Sequence, residues 1–272
     1  MEPVRFIHIT DTHLNAPESK SLFKQADMAD KLRNVFSHVK ASQCKPSFVL
    51  ITGDLTHEGN KEDYAYLRSL VDEASTALEV PIYVALGNHD HRAAFREGYL
   101  GQQASEQPYY YARTIAGIRL IVLNSQVEGC HHGEIDQEQM AWLTEELQQP
   151  ASLGTIIALH HPLLNVSIAS ADQMLTNAQE LAGVLQEGNV IGIFAGHVHS
   201  NNVGTYSGML SVASSGTAFS GEMVDDGLLR LYDSCSYNVV TVSKGTAAVE
   251  LIALPATDRE FHRYNPAIHM AQ

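Results

Sequence analysis

Cysteine is scarce: Cys44, Cys130 and Cys235 are the three in 272 residues, odd in number, far apart and without a Cys-x-x-Cys pair. That spacing excludes a disulfide framework and a thiolate zinc site, so the three read as plain thiols and a cytoplasmic location is expected. Long apolar runs are missing too. No stretch reaches the roughly 18 residues that a membrane span needs, and the opening MEPVRFIHITD reads as a strand entering polar residues, without a signal-peptide core. Positive charge is thin: 17 Lys and Arg face 31 Asp and Glu, for a formal charge of −14, and no basic cluster stands out. Duplex nucleic acids are held by many Lys and Arg through counterion release, which argues against a nucleic-acid polymer as partner and leaves room for a small anion. There is no internal repeat, low-complexity tract or obvious linker. With 44% apolar residues the chain can fill a real core, and one compact domain is expected.

What is present is a recurring alternation. Apolar runs rich in Val, Ile and Leu at 5–10, 47–52, 82–86, 119–124, 155–160 and 190–195 each end in Gly or polar residues and read as buried strands. Helical patterns at 24–40, 61–78, 136–148 and 176–187 lie between several of them, which is βαβ alternation. Asn60 with Asp63 and Asp136 with Gln139 supply capping signals for two of these helices. After residue 200 the pattern changes to short alternating segments, GMLSVASSG, LLRLYDS, YNVVTVSKG and AAVELIAL, separated by Gly or Asp turns. These read as antiparallel strands without helices.

Polar side chains gather at the strand ends. Asp11 and His13 follow the first strand, Asp54 the second, and Asn88 and His89 the third; His160 closes the fifth, and His197 and His199 follow the sixth. The carboxyl ends of parallel strands share one edge of an open sheet, so residues scattered over most of the chain can converge there. Seven oxygen and nitrogen donors without sulfur are too many for one tetrahedral zinc and suit two borderline divalent ions, Mn, Fe, Co or Zn. Asp54 is the carboxylate placed to bridge them. Gly53, Gly87 and Gly196 each precede a proposed ligand or ligand pair, where a sharp turn and close backbone approach are wanted. The competing reading is a set of hydrogen-bonded structural histidines. Repeated polar residues closing buried strands at one edge are poor core fillers, which favours the metal reading.

DTH at 11–13, GDLTHEG at 53–59, GNHD at 87–90, HHP at 160–162 and GHVH at 196–199 together resemble the signature blocks of the calcineurin-like metallophosphoesterases, in particular the bacterial class III cyclic nucleotide phosphodiesterase and glycerophosphodiesterase branch. The stretch 124–147 extends the resemblance, which fades beyond residue 200. The resemblance implies a four-layer α/β/β/α sandwich of two mixed sheets, with residues 1–200 as catalytic core and 201–272 completing the same domain. It also implies one metal on Asp11, His13, Asp54 and His199 and a second on Asp54, Asn88, His160 and His197. The expected reaction is hydrolysis of a small phosphodiester, a 3',5'-cyclic nucleotide or a glycerophosphodiester, by an activated hydroxide attacking phosphorus in line. His89, assigned no ligand role, is expected to donate to the phosphate or departing oxygen, with Asp90 orienting it by adjacency.

Other residues carry less. His161 is read as structural and His57 as a plain loop residue, while His132 ranks lowest as a substrate-side group; His8 is read as packed or hydrogen-bonded inside its strand. Substrate choice is assigned to loops 91–111, 126–133, 165–177 and 213–226, with Tyr109, Tyr110, Asn165 and Phe219. A phosphomonoesterase or nucleotide hydrolase on the same metals, a nuclease, and an inactive binding or scaffold protein are the rival readings. An exposed edge in the antiparallel tail leads to the expectation of a homodimer or larger assembly.

Overall fold

The computed structural model describes residues 2–18, 26–166, 168–169, 173–224 and 227–265. Three parallel strands, β1 (Val4–Ile9), β2 (Phe48–Thr52) and β3 (Ile82–Ala85), form one flank of a first sheet. Helices α1 (Met28–Ala41) and α2 (Lys61–Leu78) connect them. In α1 the Asp27 side chain caps the Asp30 N–H, and Leu32, Val35, Phe36 and Val39 make the buried stripe. Residues 24 and 25 of the expected helix lie outside the described residues. Asn60 occupies the N-cap of α2 without a side-chain bond to the helix backbone; its amide donates instead to the Asp63 carboxylate at 3.3 Å.

The second sheet holds β5 (Ile118–Val122), β6 (Gly154–Ala158) and β7 (Val190–Ala195) in parallel, with α4 (Gln137–Leu147) and α5 (Ala178–Leu185) on its outer face. Asp136 caps α4 by accepting from the Gln139 N–H at 2.7 Å. The reciprocal half of the expected capping box is absent: the Gln139 amide is spent pinning both backbone groups of Asn124. Two elements before residue 200 escaped the sequence reading, as did β-strands at 202–206, 220–223 and 260–264 after it. Helix α3 (Arg92–Gly98) is two turns long, too short to show a period. Strand β4 (Tyr111–Ile115) pairs with β5 through a tight turn in which Ala116 and Gly117 both have positive φ, a conformation usually announced by Asn-Gly.

Strand alternation sorts the core into three slabs. Ile7, Ile9, Val49 and Ile51 face α1 and α2. Ile121, Leu123, Ile157 and Ile193 face α4 and α5. Phe6, Phe48, Leu50, Leu120, Ile156 and Phe194 fill the space between the sheets, with Phe6 stacked on Phe48 at 4.7 Å and edge-on to Phe194 at 5.2 Å. The architecture is therefore α/β/β/α, as the resemblance implied.

The C-terminal third enters both sheets. Strands β12 (Ser236–Ser243) and β13 (Thr246–Ala253) extend the first sheet, β12 lying antiparallel beside β1. Strand β9 (Met209–Ala213) extends the second sheet but runs parallel to β7, against the expectation of an antiparallel tail; its other neighbour, β8 (Asn202–Tyr206), is antiparallel. The β8–β9 hairpin returns the chain in the direction of β7, which short alternating segments cannot reveal. Strands β10 (Ser220–Met223), β11 (Leu229–Tyr232) and β14 (Glu260–Tyr264) make a separate antiparallel sheet.

Candidate metal centre

The donors come from both sheets, not from one edge. Behind β1 the chain is zipped to the segment behind β2, with Asp11, His13 and Leu14 N–H groups donating to Gly53, Asp54 and Leu55 carbonyls. From the facing sheet, Gly196 N–H donates to the His160 carbonyl, which ties the ends of β6 and β7 together. Sharp local turns are the means: Asp11, His13, Asp54, His197 and His199 all have φ between 40° and 73°. Left-handed backbone costs a non-glycine residue roughly 1–2 kcal/mol, and five such residues at one place mark a functional arrangement. Close approach is the other means. A Cβ on Gly196 would overlap Thr10 Oγ1 and Asp11 Oδ2, and one on Gly87 would overlap Asp54 Oδ1.

The result is two overlapping donor sets. One ligand atom each from Asp11, His13, Asp54 and His199 fall within 4.8 Å of one another. His199 Nε2 is 3.2 Å from Asp11 Oδ1 and 3.1 Å from His13 Nε2, and His13 Nε2 is 3.6 Å from Asp54 Oδ2. On the other side, His160 Nε2 lies 3.3 Å from the same Asp54 Oδ2 and 3.1 Å from Asn88 Oδ1, which is 2.9 Å from His197 Nδ1. Asp54 Oδ2 thus stands between the sets, while its Oδ1 accepts from the His89 N–H at 2.9 Å.

This constellation fits a pair of cations by the chemistry of its donors. His160 Nδ1 donates to the Thr52 carbonyl at 2.8 Å and His199 Nδ1 to the Phe219 carbonyl at 3.0 Å, so both rings turn Nε2 inward, as hydrogen bonds behind metal-binding histidines do. Burial alone would push up the Asp54 carboxyl, but His160, His89 and His13 override it and hold it well below the carboxylate range. For Asp11, burial is likewise overcome, chiefly by His199, and the group is held at about 2. Burial and the neighbouring His160 charge keep His197 neutral, with its pKa down at about 3. For His160 burial is outweighed by Asp54 and Asp11, which lift it to about 9, so without a cation a proton takes that place.

His89 borders the same cleft of about 660 Å³, as do His57 and His131. Its Nδ1 is held by the His57 carbonyl at 3.3 Å, not by Asp90. The Asp90 carboxylate instead accepts from the Leu55, Thr56 and Gly87 N–H groups and from Tyr64 Oη, tying the loops behind β2 and β3 together. Adjacency placed the carboxylate beside the wrong atoms. Burial, and then the Asp54 charge, raise Asp90 to about 6.

Two loop histidines also differ from expectation. His57 is not a plain loop residue: its N–H bonds the Leu14 carbonyl, its ring lies against His89 at 4.9 Å, and its Nδ1 is 3.2 Å from His13 Nδ1. The GDLTHEG spacing was the available signal, masked by the lack of any periodic element around it. His131, not His132, borders the cleft, 3.5 Å from the Asn88 amide. His161 has both ring nitrogens engaged, by Ser125 Oγ and the His131 carbonyl, in keeping with its structural reading.

Of the proposed substrate loops, 126–133, 165–177 and 213–226 contribute to the cleft. Among the described residues 91–111 contributes nothing: Tyr109 packs on Phe95 and Tyr110 on Trp142. Asn165 is also absent from the lining, whereas Leu229, Leu231, Phe261, His262 and Tyr264 form a wall that the sequence reading missed.

Comparison with known proteins agrees with this geometry. The model of the family described as calcineurin-like phosphoesterase matches residues 4–201. The chain is 38% identical over 211 residues to a probable cyclic nucleotide phosphodiesterase of Rhodococcus erythropolis, spanning 77% of this chain and 69% of that protein. It is also 38% identical over 210 residues to a cAMP/cGMP dual specificity phosphodiesterase of Mycobacterium tuberculosis, spanning 76% of this chain and 66% of that one, just under two thirds. A 3',5'-cyclic adenosine monophosphate phosphodiesterase of Escherichia coli is 27% identical over 96% of this chain and 90% of its own. Among solved structures, a dimetal phosphatase from Danio rerio has the same fold, with a TM-score of 0.61 at 16% identity over 91% of this chain and 99% of that one. With a match covering most of its length and the donor residues of all five sequence blocks drawn together at one cleft, the chain belongs to the calcineurin-like phosphoesterase family.

Proposed function

We propose that the chain hydrolyses small phosphodiesters, 3',5'-cyclic nucleotides or glycerophosphodiesters, at a pair of divalent cations. One is held by Asp11, His13, Asp54 and His199 and the other by Asp54, Asn88, His160 and His197, drawn from Mn, Fe, Co and Zn. The observation that carries this is the meeting of seven oxygen and nitrogen donors, with Asp54 Oδ2 between the two sets, beside a cleft. The names of the relatives, cyclic nucleotide and glycerophosphodiester phosphodiesterases, support the diester class.

Bound there, such ions supply positive charge that polarises phosphate and acidifies a water. The protein does the rest. Asp11 and Asp54 are kept ionised by neighbouring imidazoles, and His197 is kept neutral, so these three are in the protonation states a cation needs, whereas His160 gives up its proton to make room for one. His89, fixed at Nδ1 by the His57 carbonyl, presents Nε2 to the cleft, where it hydrogen-bonds the phosphate and delivers a proton to the departing oxygen. His57 supports that ring by stacking on it.

The finer expectations rest on further observations. Residues 201–272 complete the same domain, supported by β12 beside β1 and β9 beside β7; 225–226 and 266–272 lie outside the described residues. A reducing, cytoplasmic setting is supported by the free thiols of Cys44, Cys130 and Cys235. Self-association is supported by the outer strand β13, which leaves Leu251 44% exposed at a sheet edge. The deciding assay compares bis(p-nitrophenyl) phosphate with p-nitrophenyl phosphate, and cyclic AMP with glycerophosphodiesters, on protein loaded separately with Mn, Co, Zn and Fe. Preferential turnover of monoesters would sink the proposal.

A further inference from the structure

The cleft has two unlike sides. His13, Asp54, Asn88, His197 and His199 make one; the other is a largely apolar wall of Phe219, just before β10, and Leu229, Leu231, Phe261, His262 and Tyr264 from the β10–β11–β14 sheet. Every residue of that wall lies beyond the span 4–201 that the family model matches.

The wall is also held at a set distance from the donors. Thr217 and Ala218 N–H groups donate to the Thr10 and Asp11 carbonyls, and the Phe219 carbonyl accepts from His199 Nδ1. The Phe219 ring stacks on His199 at 4.0 Å. From α1, Lys31 pairs with Asp233 at 2.5 Å, donates to the Ala218 and Ser234 carbonyls, and stands 5.9 Å from the Phe261 ring centroid. A sheet anchored in this way is a built surface, and a phosphorus atom placed among the donors leaves its organic substituent facing it.

Its chemistry narrows what that substituent can be. Among the described lining residues there is no Lys or Arg, and Asp54 is the one carboxylate. Among the described lining residues a second phosphate would meet imidazoles, His262 of the wall included, and no fixed cation, and an ammonium head group would meet no anion away from the metal donors. Aromatic and branched aliphatic surface receives flat neutral rings, and each base–aromatic stack is worth about tenfold or more in affinity.

We propose that the β10–β11–β14 sheet is the selectivity element of the cleft, receiving a neutral flat ring such as a nucleobase carried on a single phosphodiester, with Phe261 and Tyr264 as its principal contacts. The diester chemistry rests on the function proposed above; the ring-binding wall does not.

The test uses the full chain loaded with Mn, as wild type, Phe261→Ala, Tyr264→Ala, Phe261→Leu and Phe261→Tyr. Steady-state kinetics on cyclic AMP and on glycerophosphoethanolamine give a selectivity ratio in kcat/KM, and equilibrium titration with adenosine reports ring binding without any phosphate. The Ala variants should lower the ratio at least tenfold through KM for cyclic AMP and weaken adenosine about tenfold, and Phe261→Tyr should restore both. An unchanged ratio in Ala variants that melt like the wild type would overturn the wall, and so would wild-type protein that ignores adenosine. If the Ala variants unfold, Phe261→Leu decides, since it keeps apolar bulk and removes the ring. Wild type that turns over neither diester would refute the function, while adenosine binding would still judge the wall.

Discussion

His8 gives this fold an acid limit that is separate from its metal donors. It sits in β1 facing the opposite sheet, fully buried, with Nε2 2.9 Å from Thr52 Oγ1 and the ring edge-on to Phe194 at 5.4 Å. Burial dominates over the attraction of Asp11 and holds the imidazole down at about 3, against an ordinary 6.5. Below pH 6.5 the unfolded chain therefore binds a proton that the folded chain refuses. The stabilisation is complete above the ordinary pKa and is lost as pH falls toward the folded value. From pH 7 to pH 5 the loss is roughly 2 kcal/mol from this one side chain, or about 4–8 °C in melting temperature for a chain of this size. Replacement by leucine, similar in bulk and unable to titrate, removes that dependence and adds a pH-independent cost for the orphaned Thr52 hydroxyl. The assay is urea unfolding of EDTA-treated wild type and His8→Leu at pH 7 and pH 5. The variant should lose about 2 kcal/mol less between the two pH values. Parallel losses would show that His8 is solvated or protonated in the folded state, and the reasoning would fail.

Other perturbations act on the cleft itself. Asp54→Ala should strip metal as well as turnover, because Asp54 Oδ2 stands between the two donor sets; intact occupancy of both positions by elemental analysis would contradict the bridge. His89→Ala should keep its full metal content and lose roughly 10²-fold in kcat, the usual contribution of a positioned acid; retained turnover would end that role. Loading with metal at pH 7 should release about one proton or more, since His160 is held at about 9 and His199 is also raised. Calorimetric titrations in buffers of different ionisation enthalpy count that proton, and a count of zero would contradict the assignment of His160. Tyr64→Phe removes the hydroxyl that donates to Asp90 and accepts from the His91 N–H, and should cost about 1–3 kcal/mol in chemical denaturation.

Local chemistry written along the chain already decides a good deal of this protein. Apolar runs closed by Gly and polar residues specify six of the parallel strands, because a strand buried on both faces must be apolar throughout and must end where its backbone meets water. The donor residues are legible for the same reason: a carboxylate or imidazole at the end of such a run has no packing role to explain it. Tertiary structure decides everything that depends on which surfaces meet. The division of the donors between two facing sheets, the return of β9 parallel to β7, and the capture of His57 by the Leu14 carbonyl all follow from long-range pairing that no local period encodes. The apolar wall of the cleft is the clearest case. Leu229 and Leu231 look like ordinary strand residues in the sequence and Phe261 and Tyr264 carry no strand signal there, and only the docking of their sheet against the donors, anchored through Lys31 and Asp233, brings them to the cleft.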